Sequence, residues 1–111
     1  MEKNVALTEG SNLVLVISDD LVIHDFLRRH LEKEGYSIIS ANKGKLGLEM
    51  AREHLPDIIT LDVYMEDIES WDVNRILKSD DVLSDIPVIM LTISEDKQKQ
   101  VVFENFITKM E

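Results

Sequence analysis

Residues 13–18 read LVLVIS, a run in which every position except the last is apolar. A run this short that is apolar on both faces is typical of a strand buried on both sides, as in a parallel sheet covered by helices. Two later runs have the same character, DIITLD at 57–62 and IPVIMLT at 86–92. The sequence therefore predicts a sheet whose central strands are buried on both faces.

The segments around these three runs complete an alternating pattern. Helices are predicted at 21–34, 43–55, 71–79 and, shorter, at 95–103, with further strands at 36–41 and 105–108. Gly35 supplies a stop signal for the first helix, while Gly44 and Gly47 weaken the second. Because strands and helices alternate with short connections, right-handed crossovers predict an α/β fold with helices on both faces of an open parallel sheet.

Length and composition limit the possible classes of protein. A chain of 111 residues predicts one domain, which we place at 13–111 after a flexible tail or linker at 1–12. The net charge of −10, from 22 acidic and 12 basic residues, argues against direct nucleic-acid binding. No apolar run approaches the ~20 residues that span a bilayer, and the tail lacks a signal-peptide pattern. We therefore expect a cytoplasmic protein with no membrane association.

Charged and hydroxyl side chains are predicted at the carboxyl ends of the strands, where open parallel sheets bind their ligands. Asp19 and Asp20 follow the first strand, and Asp62 ends the third. Thr92 ends the fourth strand, and Lys109 follows the fifth. Three carboxylates, a hydroxyl and an ammonium group are therefore expected to converge on one edge of the sheet.

Three crowded carboxylates repel one another unless a cation lies among them, and Mg²⁺ prefers hard oxygen ligands. An aspartate beside Mg²⁺, with a lysine and a threonine close by, suits phosphoryl transfer. In that interpretation Asp62 attacks phosphorus in line, the metal and Lys109 neutralise the equatorial oxygens, and Thr92 donates a hydrogen bond to one of them.

These residues resemble the receiver domain of response regulators and hybrid histidine kinases, over about residues 12–110. The resemblance rests on the pair Asp19-Asp20, LDVYM around Asp62, LT at 91–92 and FITK at 106–109. The stretch PVIMLTISEDK is similar to the receivers of hybrid kinases in particular.

The resemblance implies a flavodoxin-like sheet of five strands in the order 2-1-3-4-5, here with the final helix missing. It implies a Mg²⁺ site formed by Asp19 or Asp20, Asp62 and the backbone carbonyl of Tyr64. It also implies that Asp62 is the phosphoacceptor and that Thr92 and Phe106 form a switch pair.

The resemblance further implies a role in two-component signalling. A sensor histidine kinase or a phosphotransfer protein would donate the phosphoryl group. The domain would catalyse only its own phosphorylation and dephosphorylation, and it would not otherwise be an enzyme. Because half of one sheet face would lack its helix, we also expect a homodimer through that face.

Some positions depart from the family pattern. Glu66 and Met110 stand where the family usually has proline, Ser70 where it has glycine, and Ile93 where it has a small residue. These departures leave open a receiver-like interaction module that no longer signals by phosphorylation. A phosphatase of the haloacid dehalogenase type is a further alternative, although that class places DxD rather than adjacent aspartates after the first strand. The histidines are expected at helix surfaces or flanks, not as ligands: His24, His30 and His54.

Overall fold

The computed structural model describes residues 12–63, 65 and 67–91 of the chain. The elements in this part are β1 (Leu13–Ile17), α1 (Leu21–Glu32), β2 (Ser37–Ala41), α2 (Gly44–His54), β3 (Ile58–Asp62), α3 (Ser70–Ser79) and β4 (Val88–Leu91). The predicted helix at 95–103 and the predicted strand at 105–108 lie outside the described residues.

The described strands form one parallel sheet in the order β2-β1-β3-β4. This order agrees with the predicted flavodoxin-like arrangement for its first four strands. β1 and β3 are the inner strands, and Ile17 pairs with Leu61 at their carboxyl ends. None of the described helices combines the length and the apolar character that crossing a membrane would require.

Two hydrophobic clusters cover the two faces of the sheet. Val14 and Val16 of β1 pack in the cluster that contains the buried side chains of α1. Leu15 and Ile17 pack in the other cluster, which contains buried residues of α2 and α3. Because successive side chains of a strand point to opposite faces, both faces of β1 are buried, as its continuous apolar run predicts.

The first helix is bounded by local signals that the sequence carries. Asp20 is its N-cap, and its Oδ1 accepts a hydrogen bond from the Val22 N–H at 2.9 Å. The helix ends at Glu32, two residues earlier than predicted, because 33–35 form a turn. Gly35 has φ 95°, a left-handed conformation that glycine adopts without steric cost, so it is the predicted stop signal.

The two glycines of α2 are sites of close packing, which the sequence prediction of a weakened helix did not foresee. A Cβ at Gly47 would lie 2.5 Å from Cδ1, 2.7 Å from Cγ1 and 3.0 Å from Cγ2 of Ile17. A Cβ at Gly44 would collide with Cγ2 of Ile68. The absence of a side chain therefore lets α2 approach β1 and the loop after β3.

We expect Gly47→Ala to destabilise the protein although alanine favours helices. Overpacking a core costs about 1–3 kcal/mol, which exceeds the ~1 kcal/mol that alanine gains over glycine in a helix. Urea unfolding would measure the loss. Ile17→Val removes the nearest methyl group, so the double variant should lose less stability than the sum of the two single variants. A Gly47→Ala variant more stable than wild type would contradict this packing.

Candidate functional site

Ser18 and Asp62 lie side by side where β1 and β3 end, one residue beyond the paired Ile17 and Leu61. Both are buried, with 0% and 5% of their surface exposed. The Ser18 hydroxyl donates a hydrogen bond to Oδ2 of Asp62 at 2.8 Å. The predicted acceptor carboxylate is therefore held at the carboxyl edge of the sheet by a residue of the neighbouring strand.

The backbone fixes the direction of this hydrogen bond. The N–H of Asp20 donates to Oγ of Ser18 at 3.0 Å. Because a backbone N–H can only donate, Oγ accepts from Asp20, and its own proton is directed to Asp62. One hydroxyl therefore connects the start of α1 to the carboxylate at the end of β3.

His24 contacts the backbone just beyond the end of β1, and its predicted surface position is wrong. Only 8% of the residue is exposed, and Nε2 lies 2.6 Å from the carbonyl oxygen of Ser18. Since a carbonyl only accepts, Nε2 carries the proton. Within the described part of the chain, Nδ1 is buried without a hydrogen-bond partner. The spacing of His24 with Leu27 and Leu31 on one helix face was the signal of burial.

The loop between β3 and α3 is attached to the N-terminus of α2 by Asp67. Its two oxygens accept hydrogen bonds from the N–H groups of Gly44 at 2.9 Å and Lys45 at 3.0 Å. The N-cap of α2, Lys43, provides no side-chain hydrogen bond of its own, so Asp67 supplies the cap from a distant part of the sequence.

Two opposing effects act on the Asp67 carboxyl. Burial raises its pKa. The N–H groups that donate to the carboxyl lower the pKa by a larger amount in total, so the pKa lies below the ordinary 3.8. These donors are Gly44, Lys45, Asp67 itself and Ile68. The ionised form is therefore stabilised in the folded protein, as expected for a carboxylate at a helix N-terminus.

Ser70 closes the same loop from its other end. Its side chain is buried, and its hydroxyl donates to the carbonyl oxygen of Val63 at 2.6 Å. Val63 directly follows Asp62, so this hydrogen bond restrains the backbone just beyond the predicted acceptor carboxylate. Ser70, which stands where the family usually has glycine, therefore adds a hydrogen bond beside the predicted site.

The structure describes only some of the predicted site residues. Asp62 is buried, Asp20 is partly exposed and Asp19 is exposed. The other predicted site residues lie outside the described residues: Tyr64, Thr92, Phe106 and Lys109. Sequence reasoning assigned no role to Ser18 or Asp67, because a serine and an aspartate near loops are common and their partners are distant in sequence.

An open groove adjoins the start of α1. It is lined by Asp19, Asp20, Leu21, Val22, Asn42 and Lys43. Across residues 12–63, 65 and 67–91, no three His, Cys, Asp or Glu side chains converge into a group that could hold a metal ion. Mg²⁺ needs fewer, because it is commonly bound by one or two carboxylates and keeps several water ligands. The oxygen donors at this edge therefore suit the ion without forming a closed cage.

The chain is similar to known proteins over nearly all of its length. The profile of the response regulator receiver domain matches residues 14–109. The polar-differentiation response regulator DivK of Brucella anthropi is 33% identical over 114 residues, which cover 98% of this chain and 85% of that protein. DivK of Brucella ovis is 32% identical over 114 residues, with the same shares covered.

Solved structures share the fold. The N-terminal domain of a response regulator receiver protein from Methanoculleus marisnigri is 33% identical, with a TM-score of 0.71 over 80% of this chain and 74% of that one. The signal receiver domain of a signal transduction histidine kinase from Syntrophus aciditrophicus is 29% identical, with a TM-score of 0.71 over 85% and 71%.

We expect Asp67→Ala to lower the free energy of unfolding by about 1 kcal/mol, the typical loss of a helix cap. The folded pKa lies below 3.8, so the stabilisation is complete above the unfolded pKa and is lost as the pH falls through the folded one. Urea unfolding at neutral pH and at pH about 3 should therefore show a difference between wild type and variant that shrinks in acid. Asp67→Asn keeps one acceptor oxygen and should lose less. An equal difference at both pH values would argue against the ionised cap.

Proposed function

The chain belongs to the response regulator receiver domain family, and we propose that Asp62 is its phosphoacceptor in a two-component phosphorelay. The observation that carries the proposal is the position of Asp62, buried at the carboxyl edge of the sheet with Oδ2 held by Ser18. A carboxylate held in this way has already lost rotational freedom before the reaction. Less entropy is therefore lost on the way to the transition state of in-line attack, so the reaction is faster.

The donor in this proposal is a phosphohistidine of a sensor kinase or of a phosphotransfer protein. An oxygen of Asp62 forms a bond to phosphorus while the bond from phosphorus to the donor nitrogen breaks, and the electron pair leaves with the imidazole. Lys109 offsets charge on the phosphoryl oxygens, and Thr92 donates a hydrogen bond to one of them. Thr92 then moves toward the phosphoryl group and the ring of Phe106 turns inward, and this change of conformation is the signal that a partner or an attached domain reads.

We propose that Asp19, Asp20, Asp62 and the backbone carbonyl of Tyr64 hold Mg²⁺. Bound Mg²⁺ supplies positive charge that offsets the negative charge of the transferring phosphoryl group. Two observations support the oxygen set. Asp19 is exposed beside the groove at the start of α1, so a hydrated ion can reach it. Asp20 is fixed by its role as the N-cap of α1, which limits the motion of the second carboxylate.

We propose that the folded domain spans 13–111. We also propose that it catalyses no reaction beyond the phosphorylation and dephosphorylation of Asp62. The histidine-containing donor is its first partner. The cytoplasmic location, the homodimer and the lack of contacts with nucleic acid or membrane stay predictions from the sequence.

We expect the protein to gain one phosphoryl group when it is incubated with Mg²⁺ and acetyl phosphate, and Asp62→Asn to abolish the gain. Asparagine has the shape of aspartate and keeps an oxygen for Ser18, so the fold should be retained while the nucleophile is lost. Intact mass spectrometry measures the product. Asp81→Asn, which changes an exposed carboxylate in the turn after α3, is the control and should be phosphorylated like wild type.

Two results would oppose the assignment. Labelling of Asp62→Asn at the wild-type level would place the acceptor elsewhere. A folded wild-type protein that gains no phosphoryl group, from acetyl phosphate or from a phosphorylated histidine donor, would favour the interaction module that does not use phosphorylation.

We expect Asp19→Asn and Asp20→Asn to weaken Mg²⁺ binding about fivefold or more, since a unit charge at 4 Å is worth about 1 kcal/mol even in bulk water. Asparagine caps helices as well as aspartate does, so Asp20→Asn should keep α1 intact. Calorimetric titration with magnesium chloride measures the affinity. Asp25→Asn removes an exposed carboxylate of α1 that pairs with Arg29 and should leave the affinity unchanged. Equal affinities in all variants would show that the ion binds elsewhere.

A further inference from the structure

Ser18 is a buried hydroxyl in direct contact with the proposed acceptor, and the role described for it so far is only to orient Asp62. It is 0% exposed, accepts from the Asp20 N–H at 3.0 Å and donates to Oδ2 of Asp62 at 2.8 Å. An ionised carboxylate can only accept, so the donor is the serine as long as Asp62 is charged. The strength of this hydrogen bond therefore depends on the charge of Asp62.

We propose that Ser18 shortens the lifetime of the phosphorylated protein by stabilising the carboxylate that is released when phospho-Asp62 hydrolyses. The inference rests on the proposed phosphorylation of Asp62. In this inference Ser18 governs how long the protein stays phosphorylated, while Asp62 accepts the phosphoryl group.

The chemistry of the acyl phosphate gives the direction of the effect. When Oδ1 of Asp62 bonds to phosphorus, Oδ2, which accepts from Ser18, becomes a carbonyl oxygen and loses most of its negative charge. In hydrolysis a water attacks phosphorus, the bond from phosphorus to Asp62 breaks, and the electron pair returns to the carboxylate. The water oxygen joins phosphorus, and its protons pass to inorganic phosphate and solvent.

A hydrogen bond to a charged acceptor is roughly twice as strong as one to a neutral acceptor. Ser18 therefore stabilises the free carboxylate more than the acyl phosphate. It also stabilises the transition state of hydrolysis, in which part of the charge has already returned to Asp62. Both effects favour loss of the phosphoryl group.

The surroundings of Ser18 prevent another donor from replacing it. His24 Nε2 donates a hydrogen bond to the Ser18 carbonyl oxygen at 2.6 Å, and this bond restrains the backbone of Ser18. Replacement by alanine would vacate only the space of one hydroxyl group, which is less than a water molecule needs. The carboxylate released in Ser18→Ala would therefore have one donor fewer.

The test measures the decay of the phosphorylated protein after labelling with acetyl phosphate and Mg²⁺. After the phosphodonor is removed by desalting into buffer with Mg²⁺, intact mass spectrometry follows the loss of the phosphoryl group. We expect the lifetime to be about fivefold longer in Ser18→Ala than in wild type. Ser18→Cys, which keeps a weaker donor of similar shape, should lie between the two.

Thr60→Val is the matched control. Thr60 lies on β3 two residues before Asp62, and its buried hydroxyl has no hydrogen-bond partner among the described residues. The substitution removes a buried hydroxyl from the same corner of the sheet without removing a donor to Asp62, so the lifetime should equal that of wild type. An unchanged lifetime in Thr60→Val would show that the loss of a buried hydroxyl does not by itself slow the decay.

The outcomes separate the two proposals. Wild-type protein that never gains the phosphoryl mass overturns the proposed function, and the role of Ser18 with it. Wild type that is labelled while Ser18→Ala decays as fast or faster overturns the role of Ser18 alone. Circular dichroism shows whether each variant is folded. If Ser18→Ala is unfolded, Ser18→Cys decides, and a wild-type lifetime in that variant overturns the proposal.

Discussion

The parallel pairing of β1 with β3 is the constraint on which the rest of the described structure depends. It places β1 inside the sheet, where helices cover both faces and Val14 and Leu15 pack in different clusters on opposite sides. It also brings the carboxyl ends of the two strands to the same edge, where Ser18 and Asp62 meet. The hydrophobic effect that forms the core therefore also positions the polar site.

Three hydrogen bonds connect the buried groups at this edge of the sheet. Asp62 accepts from Ser18, Ser18 accepts from the backbone of Asp20, and the Ser18 carbonyl accepts from His24. Each of these bonds has only one possible direction, because carbonyls and carboxylates accept and backbone N–H groups donate. These hydrogen bonds, each with a fixed direction, limit the motion of the Asp62 carboxylate, and the proposed in-line reaction needs such a fixed geometry.

The loop after β3 shows how a departure from a family pattern can be structurally consistent. Ser70 replaces the usual glycine, and its hydroxyl binds the carbonyl of Val63. Asp67 joins the same loop to the N-terminus of α2, where Gly44 leaves room for Ile68. Hydrogen bonds therefore restrain the described part of this loop at Val63, Asp67 and Ser70.

The sequence by itself determined the fold class and the position of Asp62 at the carboxyl edge of the sheet, and the family resemblance predicted the order of the first four strands. Apolar runs such as 13–17, helical spacing and a glycine such as Gly35 act over short distances along the chain, so they can be read locally. Asp62 was predicted to be the acceptor because a carboxylate at the end of a buried strand is conspicuous in sequence.

Tertiary structure alone decided which side chains contact those residues. Ser18 and Asp62 are 44 positions apart, and Asp67 caps a helix that begins 23 positions before it. Gly47 appeared to weaken a helix until the proximity of Ile17 showed that a side chain has no room there. The spacing of His24 on its helix indicates burial, but only the packing of α1 on the sheet brings its ring to the Ser18 carbonyl. Such contacts depend on how elements pack in three dimensions, and the local sequence pattern does not contain that information.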